Sequence, residues 1–371
     1  RQVSAFTFSP GGQALAWSVV GSESVCRLPL AAVRLSDSAD VPLPATACEL
    51  SLRPSGALEK PQPTDLAKLR FNGDGSTLLG LAWDGSGALW DRGGRRLGSL
   101  RLPKTVFPPF SGINDSPDGR TVAFVARGEA LGELLTCDLS ALHNGSLPCV
   151  VATPPPPPNE RPLDLTSVHF ARRARAGDPS LVLSVADGRL CFATLQRGRG
   201  VKLDRCQKIP SGQGELAMSP DDAWIGLAGS DGALYLWERK GSTYRLQAPP
   251  LKVSAGPLIR ATFRPSPDPR RGVLAAMSLD GTASLWTLNG RQLATFRGPG
   301  GERGGYLGAE FEPGGDLLLW TLNGSLRQEP VQGLQQLIDR GCAWLREYRQ
   351  GALTPKEERD RLRFCDASPG G

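Results

Sequence analysis

Apolar residues along most of this chain come in short, nearly unbroken runs that end at turn residues. Leu78–Trp83, Val182–Ala186 and Val273–Leu279 are almost wholly apolar, and each runs into Asp-Gly, at Asp84-Gly85, Asp187-Gly188 and Asp280-Gly281. Runs of that length bounded by glycine turns predict strands covered on both faces. Asn-Gly pairs at Asn289-Gly290 and Asn323-Gly324 add further hairpins, because the glycine supplies the positive φ that a tight turn needs.

The pattern repeats. Phe8-Ser9-Pro10-Gly11-Gly12 recurs as Phe71-Asn72-Gly73-Asp74-Gly75, Asp115-Ser116-Pro117-Asp118-Gly119 and Met218-Ser219-Pro220-Asp221-Asp222. Degenerate copies start at Phe170, Phe263 and Phe311, and consecutive copies begin 44 to 63 residues apart. That period is that of a four-stranded propeller blade with loop insertions. The copy at Met218 shows the whole unit: a strand over Ala223–Ser230, the turn Asp231-Gly232, a strand over Ala233–Glu238, and a fourth from Ser242 to Gln247. Trp90, Trp237 and Trp286 end the third strands of their blades, where a large ring is expected to pack against the next sheet. The fold class is therefore all-β, a seven-bladed propeller over residues 1–332.

Composition narrows this. With 45 Gly and 32 Pro in 371 residues, the chain is built of turns and short elements, while 40% hydrophobic residues suffice for a core. The net charge of +6 is a mild excess spread over a long chain, and no run of 18 apolar residues exists to span a bilayer.

The repeats resemble the WD-repeat family, whose units carry a Phe-Ser-Pro-Asp-Gly turn and a Leu-Trp-Asp ending. Leu89-Trp90-Asp91, Leu236-Trp237-Glu238 and Leu285-Trp286-Thr287 match that ending to differing degrees. Cys26-Arg27, Cys137-Asp138 and Phe192-Ala193 depart from it, and the Gly-His pair of the family is absent, His143 and His169 being the only histidines. The family's His-Ser-Asp-Trp hydrogen-bond network therefore cannot form.

Leu334, Leu337, Ile338, Cys342, Leu345 and Tyr348 share one helical face, and Thr354-Pro355-Lys356-Glu357 reads as a capped helix start. A short C-terminal helical hairpin is expected over 333–366, with a disordered tail at 367–371. The string Gly341-Cys342-Ala343-Trp344-Leu345 looks like the tail after many cyanobacterial WD-repeat domains. That resemblance implies a propeller C-terminal to a signalling or effector module on the same chain. Blade seven stops one strand short after Ser325–Val331, and few residues precede the first repeat, so the natural chain is expected to extend upstream of Arg1.

The eight cysteines fall into four local pairs: Cys26/Cys48, Cys137/Cys149, Cys191/Cys206 and Cys342/Cys365. The first three are each equidistant from a hairpin centre, so their members would oppose each other across strands close enough for a disulfide. Two readings stand open: an oxidised extracytoplasmic propeller, or buried small hydrophobes in a cytoplasmic one, the latter slightly favoured. No Cys-x-x-Cys spacing points to zinc.

Catalytic signatures fail. Ala228-Gly229-Ser230-Asp231-Gly232 approaches a nucleophile elbow but lies on a strand-to-strand turn. The glycine run 298–305 lacks the Lys and the helix of a phosphate loop. The innermost strands, such as Ala67-Lys68-Leu69-Arg70 and Glu215-Leu216-Ala217, are sparse in metal ligands. Candidate partner-binding residues are Arg172, Arg173 and Arg175, which could meet an acidic partner, and Pro154, Pro156 and Pro158 in a stiff polyproline segment. Arg172–Arg175 lack interleaved aromatics, which argues against nucleic acid. The reading is a non-catalytic protein-interaction scaffold or sensor with no cofactor and no metal. The alternatives are an extracytoplasmic receptor propeller or, further off, a propeller hydrolase or lactonase.

Overall fold

The computed structural model describes residues 3–9, 13–19, 24–29, 40–42, 50–51, 66–103, 106–172, 180–196, 200–209, 214–241, 243–265, 272–298, 305–312, 315–321 and 325–331, with isolated positions between 341 and 365. Residues 1–328 and 329–371 form two compact units.

The first unit is a succession of four-stranded antiparallel meanders, here called blades in chain order. The innermost strands are Val3–Phe8, Leu66–Phe71, Phe107–Asp115, Leu165–Phe170, Gly214–Met218, Leu258–Phe263 and Tyr306–Phe311. Each ends at, or one residue before, a copy of the repeated turn. Each second strand is the apolar run read from sequence: Thr77–Ala82, Leu181–Val185, Trp224–Gly229 and Val273–Ser278 are typical, and their residues are nearly all buried.

The repeated turn has a local cause. In blade five, the Trp224 N–H donates to Ser219 Oγ at 2.8 Å, and the Ser219 hydroxyl donates to Asp221 Oδ1 at 2.6 Å. Blade three repeats this, Thr121 N–H to Ser116 Oγ at 2.9 Å and Ser116 Oγ to Asp118 Oδ1 at 2.6 Å. Asn72 Oδ1 takes the serine's place in blade two, accepting from Thr77 N–H at 2.9 Å. The side chain thus satisfies a backbone donor that the hairpin itself leaves over. In the turns at Gly85, Gly188, Gly232 and Gly281, between second and third strands, only the glycine is left-handed. Gly85 has φ +82° and its N–H closes back on the Ala82 carbonyl, a one-turn reversal that a Cβ would strain.

Trp90, Trp237 and Trp286 do pack between blades, but against the preceding sheet. Trp90 lies with Ala5, Ala16 and Val25 of blade one, Trp237 with Val182 and Phe192 of blade four, and Trp286 with Ala228 and Leu236 of blade five. In blade one, where Cys26 stands in place of that tryptophan, the directly opposed residue on the second strand is Trp17. Trp17 fills the space between blades one and seven beside Leu318 and Trp320, and Phe6 stacks on Trp320 at 4.7 Å.

Two connections differ from the sequence expectation. Blade seven is completed by Asp40–Pro42, whose residues pair antiparallel with Ser325–Arg327. The missing strand comes from the excursion between the third strand of blade one and its fourth, Leu50–Ser51, not from residues upstream of Arg1. That excursion was expected to be a simple hairpin around Asp37; it serves two blades instead. Blades two and three also fuse into one eight-stranded sheet, where Ser99, Leu100 and Arg101 run parallel to Ser146, Leu147 and Pro148. Gly98 permits the approach, since a Cβ there would stand 2.7 Å from the Gly145 carbonyl oxygen.

In the second unit, Gly341, Cys342, Trp344, Arg346 and Tyr348 have helical backbone, but no continuous helix is delimited among the described residues. The expected tail at 367–371 and most of the hairpin at 333–366 lie outside them.

Candidate ligand channel

All seven innermost strands border one cavity of about 510 Å³. It also reaches the turns that follow those strands, at Ser9, Gly73, Arg172, Pro220, Asp222 and Pro265, so it lies at the end of the ring where the inner strands finish.

Side chains on an inner strand alternate between the neighbouring blade and the channel. In blade two, Leu69 and Phe71 are buried against blade one, which leaves Lys68 and Arg70 for the channel. Counted back from the first residue of the repeated turn, the positions one and three residues earlier carry the charge: Arg70, His169 and Glu310 at one, Lys68, Glu215 and Arg260 at three.

These groups, drawn from five blades, act on one another. Burial, the largest influence on Glu215, would raise its pKa, but Arg260, Lys68 and His169 together hold it below the ordinary value. Lys68 is raised chiefly by Glu215, yet burial and Arg260 outweigh that and bring it below its ordinary value. Burial pushes Glu310 up, with Arg260 and Arg70 only partly opposing. Burial, then Arg70, pushes His169 down to about 4, so its ring is neutral at pH 7. Its Nε2 lies 2.8 Å from the Leu216 carbonyl oxygen, which can only accept, so Nε2 carries the proton.

Arg260 Nη2 stands 3.7 Å from Glu215 Oε1, with the side chains 33% and 27% exposed, so water within the channel screens the pair. At the channel mouth Asp115 is 3% exposed; its Oδ2 accepts from Gly73 N–H at 2.7 Å, and its Oδ1 lies 3.7 Å from Arg172 Nη2.

Arg172 therefore stands at the channel mouth within reach of Asp115, its side chain 40% exposed. Arg173 and Arg175 lie outside the described residues. Pro154 is buried, Pro156 half-buried and Pro158 exposed. The segment leaves blade three against Leu134, whose N–H donates to Thr153 Oγ1 at 2.8 Å and whose carbonyl accepts from Ala152 N–H. The polyproline run is thus laid along the blade at its start. Cys137 opposes Cys149 and Cys191 opposes Cys206 in register, and both pairs are bonded, as are Cys342 and Cys365. Cys26 is also in a disulfide, while Cys48 lies outside the described residues. Gly229–Gly232 is a hairpin turn, Gly232 N–H donating to the Gly229 carbonyl at 3.1 Å.

The channel charges escaped the sequence reading, although their signal was there. Lys68, Arg70 and Glu215 were read one strand at a time, as a deficit of metal ligands. Their shared positions become visible only when the inner strands are aligned on the repeated turn. Among the described residues no group of three His, Cys, Asp or Glu could hold a metal ion, and no helix is long and apolar enough to cross a membrane.

The fold is that of a β-propeller. The crystal structure of the Myceliophteria thermophila Cps50 (Swd1) beta-propeller domain is similar, with a TM-score of 0.65 and 17% identity, over 89% of this chain and 98% of that one. No family model and no curated protein matches the sequence.

Proposed function

We propose that the chain is a seven-bladed, WD-repeat-like propeller acting as a non-catalytic protein-interaction module. Its mechanism is surface complementarity on a rigid ring, not bond-making. The observation that carries this is the pair Trp83 and Leu279, 51% and 67% exposed. Both occupy the same turn position, just before Asp-Gly, where blades four and five carry the small Ala186 and Ser230. These turns lie at the end of the ring opposite the channel mouth. Large apolar side chains displayed at turn tips are what interfaces use as anchors. The test is quantitative mass spectrometry of proteins co-purifying with the tagged chain from its source, for the native sequence and for Trp83→Ala/Leu279→Ala. Loss of a stoichiometric partner at unchanged melting temperature supports the reading; an unchanged partner set refutes the use of this face. The resemblance of the tail to cyanobacterial WD-repeat proteins supports an effector module upstream on the same chain as that partner.

A second reading, an extracytoplasmic receptor propeller, draws support from the bonded cysteines, since cross-strand disulfides persist in oxidising compartments. Intact mass after alkylation without reduction, on protein from the native source, decides it. Eight alkylated thiols would sink this reading.

A further inference from the structure

We propose that the channel is a binding site for a compact dianion, a phosphate or dicarboxylate, held by Arg70, Lys68 and Arg260. The inference is separate from the partner face and stands or falls without it.

The argument begins with charge. Lys68, Arg70, Arg172 and Arg260 border one cavity with Asp115, Asp222, Glu215 and Glu310, Asp222 lying with Asp115 and Arg172 at the turns of the mouth. Asp115 is engaged at the mouth by Gly73 and Arg172. Deeper in, three cations face Glu215 and Glu310, and burial raises the Glu310 carboxyl above its ordinary value. His169 is held neutral chiefly by burial and then by Arg70, so it adds no charge to the cavity. The deeper part of the cavity thus carries one more cation than carboxylate, in a space partly walled by protein, where charge acts more strongly than in bulk water.

Geometry then separates a binding site from a structural ion network. A network that staples strands closes to charge-assisted hydrogen bonds of about 2.7–2.9 Å. Here Glu215 and Arg260 remain 3.7 Å apart. Among the described residues, Lys68 and Arg70 have neither a hydrogen bond nor an ion pair within 4 Å. The Lys68 ammonium and the Arg70 guanidinium therefore border the shared space with no protein acceptor at hydrogen-bond distance, Glu215 acting on Lys68 from further off. Arg260 approaches from blade six, its guanidinium 5.9 Å over the Trp320 ring. A ligand reaching all three has ample room, since the space holds about 510 Å³. It must offer several oxygens, as phosphate and short dicarboxylates do.

The test is titration calorimetry of the full chain in low-chloride buffer, with inorganic phosphate and with succinate as separate probes. Arg70→Met is the principal variant, because removing Arg70 strands no paired carboxylate. Lys68→Met is a second variant should the first fold poorly. Saturable binding of either probe, weakened about tenfold or more by Arg70→Met and unaffected by Arg297→Met on the outermost strand of blade six, supports the proposal. Phosphate alone binding identifies a phosphate ligand, and succinate alone a dicarboxylate. Failure of both probes to saturate, or binding that Arg70→Met and Lys68→Met leave unchanged, overturns it.

Discussion

Replacing Ser219 with alanine should destabilise the chain by about 1–2 kcal/mol, the range found when a side-chain cap of a buried backbone donor is removed. Ser219 is 7% exposed, and its Oγ receives the Trp224 N–H at 2.8 Å. Alanine leaves that donor with no acceptor inside a closed hairpin. Asp221 does not touch Trp224; it accepts from the Ser219 hydroxyl at 2.6 Å and from Ala223 N–H at 3.1 Å, and so turns the hydroxyl lone pairs toward the strand. Asp221→Ala should therefore cost less, about 0.5–1 kcal/mol, with part of that cost exerted through the serine. The double variant should lose little more than Ser219→Ala alone, a non-additivity of about 0.5 kcal/mol. Urea unfolding midpoints for the four proteins measure the cycle. The equivalent pair Ser116 and Asp118, with nearly the same distances, provides a replicate on another blade. If Ser219→Ala lies within 0.3 kcal/mol of the native sequence, or if the two effects simply add, the hydroxyl is not the cap and the motif needs another cause.

Two further outcomes are expected. His169 has its folded-state pKa lowered to about 4, against 6.5 unfolded, so it contributes stability that is complete above pH 6.5 and lost as pH falls toward 4. His169→Gln should flatten the urea midpoint over that window relative to the native chain, and identical pH slopes would refute the buried neutral ring. Trp237→Ala, at a position 1% exposed between blades four and five, should cost about 3–5 kcal/mol and should perturb amide exchange in both blades. Exchange confined to blade five would contradict the packing direction.

Much of the ring was legible because each blade declares itself locally. The turn Ser219–Asp222 is stabilised by its own side chains, and Asp280-Gly281 by Asp280 Oδ1 accepting from Thr282 N–H at 2.9 Å. Neither needs the rest of the protein to form, so the sequence pattern and the structure coincide there. The same holds for cysteines placed symmetrically about a turn, because the hairpin register follows from the turn: Cys191 and Cys206 meet as counted. What depends on several blades at once was not legible. Tryptophan at a third-strand end declares that a sheet will cover it, but the choice of the preceding sheet is set by the handedness of the stack. Arg172 looked like one of three loop charges because nothing near it in sequence announces Asp115.

The closing strand shows the same limit most clearly. Asp40–Pro42 is three residues long, carries no apolar alternation, and pairs with a strand almost three hundred residues away. A segment so short contributes little by burial, so its place is set by the demand of its partner. Ser325–Glu329 would otherwise present an unpaired edge. The source of that strand matters physically. Blade one pairs its third strand Ser24–Pro29 with Leu50–Ser51, and between those two segments the chain reaches across to blade seven. The ring is thus joined by backbone hydrogen bonds at the outside and, further in, by Phe6 stacked on Trp320 and Trp17 beside Leu318. Opening the seam between blades one and seven must break both at once. A channel bordered by all seven inner strands keeps its shape only while that seam holds, so the spacing of Arg70, Arg260 and Glu310 is maintained by residues that never touch the channel.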